Sequence, residues 1–96
     1  MDPIRLALVD DHHVVRRALC SFLQSFPDIT IVGEAASGES ALERVEDWLP
    51  DVVIMDLLMP GGIDGIETTR RIRTITPHTQ VVALTAHTDD ARVVGA

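Results

Sequence analysis

Lysine is missing from all 96 positions, so each of the eight basic residues is an arginine. That excludes Schiff-base chemistry and any site built on a compact ammonium charge. Cysteine occurs once, as Cys20, which rules out an internal disulfide. Long apolar runs are missing too: Val52-Val53-Ile54-Met55 and Val81-Val82-Ala83-Leu84 fall far short of the roughly 18 residues that a spanning helix needs. Basic charge is in deficit, with fifteen acidic residues against eight basic ones and a net charge of -7. Such a balance argues against this segment itself gripping a phosphate backbone. The start, Met1-Asp2-Pro3-Ile4, has neither the basic region nor the apolar stretch of a secretory signal. A cytoplasmic chain with no membrane contact is expected.

What is present reads as one globular domain over residues 1–96, with 46% hydrophobic and 24% charged residues. The run from Ile4 to Val9 predicts a buried parallel strand that ends in Asp10-Asp11. Val14, Val15, Ala18, Leu19, Phe22 and Leu23 recur at helical spacing, and that helix closes before Pro27. Ile29 to Val32 predicts a second strand, and Ser37-Gly38-Glu39 opens a second helix striped by Ala41, Leu42 and Val45. Val52 to Met55 predicts a central strand with Asp56 at its tip. Pro60-Gly61-Gly62 forces a loop, after which Asp64 caps a third helix that ends at Thr76-Pro77. Gln80 to Leu84 predicts a fourth strand followed by Thr85, and Asp89-Asp90 the start of a fourth helix. Alternation of this kind gives an α/β fold, a doubly wound parallel sheet.

Ligands of such sheets bind at the carboxyl ends of the strands. Asp10, Asp11, Asp56 and Thr85 all fall at those ends, from three different strands. Carboxylates gathered at one edge repel one another, and a divalent cation relieves the repulsion. Oxygen ligands without cysteine favour Mg²⁺ or Mn²⁺ over Zn²⁺. A carboxylate beside such an ion can accept a phosphoryl group, with a hydroxyl on the transferred oxygens. Asp56 and Thr85 suit those two roles.

Asp10-Asp11 after Leu6-Ala7-Leu8-Val9, Asp56 within Val53-Ile54-Met55-Asp56-Leu57-Leu58-Met59-Pro60, Asp64-Gly65 after the glycines, and Leu84-Thr85-Ala86 together resemble the receiver domain of two-component response regulators. Val9-Asp10-Asp11-His12 with Val14-Val15-Arg16, and Ile63-Asp64-Gly65-Ile66-Glu67, look most like its NarL/FixJ-type branch. The resemblance implies a flavodoxin-like sheet of strand order 2-1-3-4, with the family's fifth strand and fifth helix absent from this sequence. It implies that Asp56 is the phosphoacceptor, that Asp11, Asp56 and the Leu58 carbonyl bind Mg²⁺ directly, that Asp10 binds it through water, and that Thr85 is the switch hydroxyl. It further implies a histidine kinase as partner, with Val14, Val15 and Ala18 as candidates for kinase contact. DNA would be reached only through a C-terminal domain not present here.

Two departures from the family carry expectations of their own. The fifth strand normally ends in a lysine that pairs with the phosphoryl oxygens, and its absence predicts impaired phosphorylation and an exposed edge at Val81 to Leu84. That edge predicts a homo-oligomer or a domain-swapped dimer. The turn from Pro60 to Gly65 is one residue longer than the usual family loop.

Alternatives remain at this stage. The chain could be a phosphorylation-silent interaction or dimerisation module that keeps only the fold. A phosphatase with an aspartyl nucleophile is a further reading, although such enzymes place a second aspartate where this chain has Leu58. His12-His13 suggest zinc, but neighbouring helical residues diverge. The Gly33 to Ser40 segment has the spacing of a phosphate-binding loop with Glu39 where the lysine belongs, so it reads as an ordinary turn. Arg16 and Arg17 read as solvated helix positions, His78 as a solvated side chain, His87 as a polar loop residue, and Cys20 as a small hydrophobe.

Overall fold

Short aliphatic runs take the extended form here, and the amphipathic segments between them coil. A computed structural model describes residues 2–59 and 61–84. In chain order the elements are β1 (Ile4–Val9), α1 (His13–Gln24), β2 (Ile29–Ala35), α2 (Gly38–Trp48), β3 (Val52–Asp56), α3 (Gly65–Ile75) and β4 (Gln80–Leu84). The strands pair in parallel in the order β2-β1-β3-β4. This is the expected doubly wound sheet in its expected order, and the expected fourth helix at Asp89-Asp90 lies outside the described residues.

Alternate residues of β1 enter two different cores. Ala7 and Val9 join Val45, Trp48, Val53, Met55 and Ile72 under α2 and α3. Leu6 and Leu8 join Cys20 and, at the margin, Leu19, Leu23, Val52 and Ile54 under α1. A strand stretch covered on both faces has little place for polar side chains, which is why Leu6 to Val9 and Val52 to Met55 are unbroken apolar runs. Burial also settles Cys20, whose thiol is pushed up to about 11 by desolvation, with Glu34 adding to the shift. It is an inert core group.

The helix starts follow capping chemistry. Ser37 Oγ accepts from the Ser40 amide at 3.1 Å, and Asp64 Oδ1 accepts from the Glu67 amide at 2.8 Å. At the far end of α2, Leu49 takes the left-handed conformation, φ 45°, and returns its amide to the Val45 carbonyl. Gly61 and Gly62, with φ of 78° and 63°, supply the positive dihedrals of the turn before α3.

One boundary differs from the sequence reading. β2 runs on through Gly33, Glu34 and Ala35, which pair with Ala7, Leu8 and Val9 beyond a register shift between Leu6 and Ala7. The bulge falls at Val32, and Gly33 stays in the strand opposite Ala7. Among the described residues β4 pairs only with β3, and its Val82 and Leu84 are 49% and 38% exposed.

Candidate functional site

The β1–β3 register aligns Val9 with Met55, so the residues that follow, Asp10 and Asp56, emerge side by side. Both are buried, at 6% and 4% exposure. Each folds back on its own chain: Asp10 Oδ1 accepts from the His12 amide at 2.8 Å, and Asp56 Oδ1 accepts from the Leu58 amide at 2.9 Å. Asp11 stands next to them with a buried Oδ1 that meets the His12 imidazole and makes no regular hydrogen bond. Three of the sequence-derived residues are thus brought together, and Leu58 reaches the site through its backbone. Thr85 lies outside the described residues, as does His87.

His12 corrects the sequence reading. It precedes α1 as the N-cap residue, with extended backbone (φ -89°, ψ 102°), while His13 opens the helix. Freed from helical divergence, His12 turns its Nδ1 to 3.1 Å from Asp10 Oδ1, 3.0 Å from Asp11 Oδ1 and 3.8 Å from Asp56 Oδ2. One ligand atom from each of Asp10, Asp11, His12 and Asp56 lies within 4.8 Å of the others. The only sequence signal for this was the histidine directly after the acidic pair.

Electrostatics agree with the crowding. Burial raises the Asp56 carboxyl above its ordinary range, the Asp10 and Asp11 charges push it further, and the Leu58 amide and His12 oppose them. The hydrogen bond to Asp10 and the charge of Asp11 raise the His12 imidazole above its ordinary value. The donor set fits a hard divalent ion: three carboxylates converge, and the buried Asp11 Oδ1 makes no regular hydrogen bond, only the ion-pair contact with His12 among the described residues.

A second correction concerns Arg16. Its side chain is only 12% exposed, far from a solvated position. It donates from Nη1 to the Asp10 carbonyl at 2.6 Å and from Nε to Glu34 Oε1 at 3.1 Å. Glu34 also accepts from Arg17 Nη1. Burial raises the Glu34 carboxyl, but Cys20, Arg16 and Arg17 outweigh it and hold the group below its ordinary value. Glu39, where a phosphate-binding loop needs a cation, instead accepts from the Ile63 amide at 2.8 Å and ties α2 to the glycine turn. No helix of the described residues is long and apolar enough to cross a membrane.

Known proteins resemble this chain in sequence and in fold. The response regulator receiver domain family matches residues 6–96. The response regulator protein VraR of Staphylococcus saprophyticus is 41% identical over 91 residues, which are 95% of this chain and 43% of VraR. The transcriptional regulatory protein LiaR of Bacillus subtilis is 41% identical over 90 residues, 94% of this chain and 42% of LiaR. The chain therefore spans less than half the length of these relatives. Among solved structures, a LuxR-family two-component response regulator from Aurantimonas sp. superposes with a TM-score of 0.82 at 34% identity, covering 97% of this chain and 66% of that one. The receiver domain of the NarL regulator from Mycobacterium tuberculosis gives 0.83 at 33% identity, covering 98% and 75%. With the family match, the relatives and the fold in agreement, the chain belongs to the response regulator receiver domain family of two-component systems, in its LuxR/NarL-type branch.

Proposed function

We propose that this domain is a phosphoacceptor switch in which Asp56 takes a phosphoryl group from a histidine kinase and controls an output, a DNA-binding transcriptional one, through a domain outside this chain. The observation that carries the reading is the placement of Asp56, 4% exposed at the tip of β3, with its carboxylate within 4.8 Å of an oxygen of both Asp10 and Asp11. In this reading Asp11, Asp56 and the Leu58 carbonyl hold Mg²⁺, or Mn²⁺ in its place, Asp10 holds it through water, and Thr85 is the hydroxyl that answers the new charge. When bound, the cation neutralises the oxygens of the incoming group.

The chain's own residues do the rest. The Leu58 amide engages Asp56 Oδ1, which leaves Oδ2 as the attacking oxygen. That oxygen forms the bond to phosphorus as the bond from phosphorus to the donor imidazole nitrogen breaks, and the electron pair returns to that nitrogen. Burial of Asp56 keeps the carboxylate poorly solvated and so reactive. The group is an acceptor used once per signal, not a turnover catalyst, and the setting is cytoplasmic.

Intact-mass spectrometry after incubation with acetyl phosphate and Mg²⁺ tests this. A phosphoryl adduct is expected on the wild type and lost in Asp56→Asn. An adduct that persists in the variant overturns the assignment of Asp56. No adduct on either favours the phosphorylation-silent module.

A further inference from the structure

Asp10 is held at both ends of its backbone. Its amide donates to the Ala35 carbonyl at 3.1 Å, and its carbonyl accepts from Arg16 Nη1 at 2.6 Å. That carbonyl belongs to the peptide leading into Asp11, so its direction sets the plane from which the Asp11 side chain departs. The buried Asp11 Oδ1 meets the His12 imidazole at 3.0 Å without a regular hydrogen bond, and no backbone amide holds it. The backbone does the aiming, and Arg16 is the group that fixes the backbone.

Arg16 is itself anchored. Its Nε donates to Glu34 Oε1 at 3.1 Å, with the two side chains only 12% and 23% exposed. A guanidinium has a rigid planar fork, so fixing one edge on β2 fixes the direction in which the other donor points. The brace links α1 to β2 and closes on the loop after β1.

We infer that Arg16 is a positioning residue for the cation site: its fork, anchored on Glu34, orients the Asp10–Asp11 peptide and thereby directs Asp11 at the metal. The inference rests on the metal reading above and adds to it a residue that touches neither the ion nor the phosphoryl group. Two simpler roles make opposite predictions. A guanidinium acting only as a charge repels a divalent cation, so removing it tightens binding. A purely structural arginine lowers stability and leaves the affinity of the folded protein unchanged.

The test is Mg²⁺ titration of the full 96-residue chain, followed by ¹H–¹⁵N NMR, for the wild type, Arg16→Gln, Arg16→Lys and Arg17→Gln, with urea midpoints measured in EDTA. Arg16→Gln is expected to weaken Mg²⁺ on the order of tenfold, the usual loss for an outer-shell partner. Arg16→Lys keeps the charge without the fork and is expected to weaken it as well; it carries the test if Arg16→Gln does not fold. Arg17→Gln makes the same change of charge and loses a contact to the same Glu34, but should bind as the wild type does. Arg16 variants that bind Mg²⁺ as tightly as the wild type, or more tightly, overturn the inference. A wild type that binds no Mg²⁺ overturns the metal reading itself, and the inference with it.

Discussion

A Cβ on Gly65 would stand 2.4 Å from the Asp56 carbonyl oxygen and 2.6 Å from the Leu57 Cα. The first residue of α3 therefore rests directly on the backbone that carries the candidate phosphoacceptor. Gly65→Ala must push the helix or the strand tip aside, because backbone atoms cannot swing away as a side chain can. The expected cost is about 1–3 kcal/mol, with weakened Mg²⁺ binding alongside it. An unchanged urea midpoint in the variant would show that the contact is not tight.

Mg²⁺ should act as a stabilising ligand of the folded chain. At a free concentration of one hundred times Kd the gain is about 2.7 kcal/mol. For a domain of this size each kcal/mol moves Tm by about 4–8 °C. Thermal scans with Mg²⁺ and with EDTA should differ for the wild type and coincide for Asp11→Asn.

Without metal, Asp56 works against the fold. Its folded pKa is raised, chiefly by burial, so the native state binds the proton more readily than the unfolded chain does. The penalty is complete above the folded pKa and fades as pH falls toward the ordinary value of 3.8. In EDTA at pH 7, Asp56→Asn is expected to show a higher urea midpoint than the wild type, with the gap closing in acid. A less stable variant at pH 7 would contradict this.

Acid should act oppositely at Glu67. Hydrogen bonds from Arg70 and Arg71 hold its carboxyl at about 2, against an ordinary 4.5. The stabilisation is fully present above the unfolded value and lost as pH falls through the folded one, a window from 4.5 down to about 2. Glu67→Gln should flatten the urea midpoint against pH in that window. The same slope in both proteins would remove Glu67 from the acid response.

Most of the fold was legible because its signals are local. Val52 to Met55 is too short for a helix and too apolar for a loop, and Ser37 and Asp64 announce their helices by capping chemistry. Asp10, Asp11 and Asp56 were legible as a site because parallel strands deliver their carboxyl ends to one edge. What escaped depended on partners distant in sequence or on a shift of a single residue. Glu34 looks like part of a turn until a bulge carries β2 past it. Arg16 looks solvated until Glu34 is placed across from it. His12 looks divergent from the site if α1 starts one residue early, and joins the carboxylates when the helix begins at His13. Thr85 lies outside the described residues.

Asp11 and Asp56 lie far apart along the chain and meet only because β1 and β3 run side by side in the interior of the sheet order. Neither strand can part from the other without opening the buried layers that hold Val9, Val53 and Met55. Backbone at the centre of a sheet is the slowest to open and the last to exchange its amide protons. In the proposed reading, a phosphoryl group on Asp56 would sit on the strand pair that opens last.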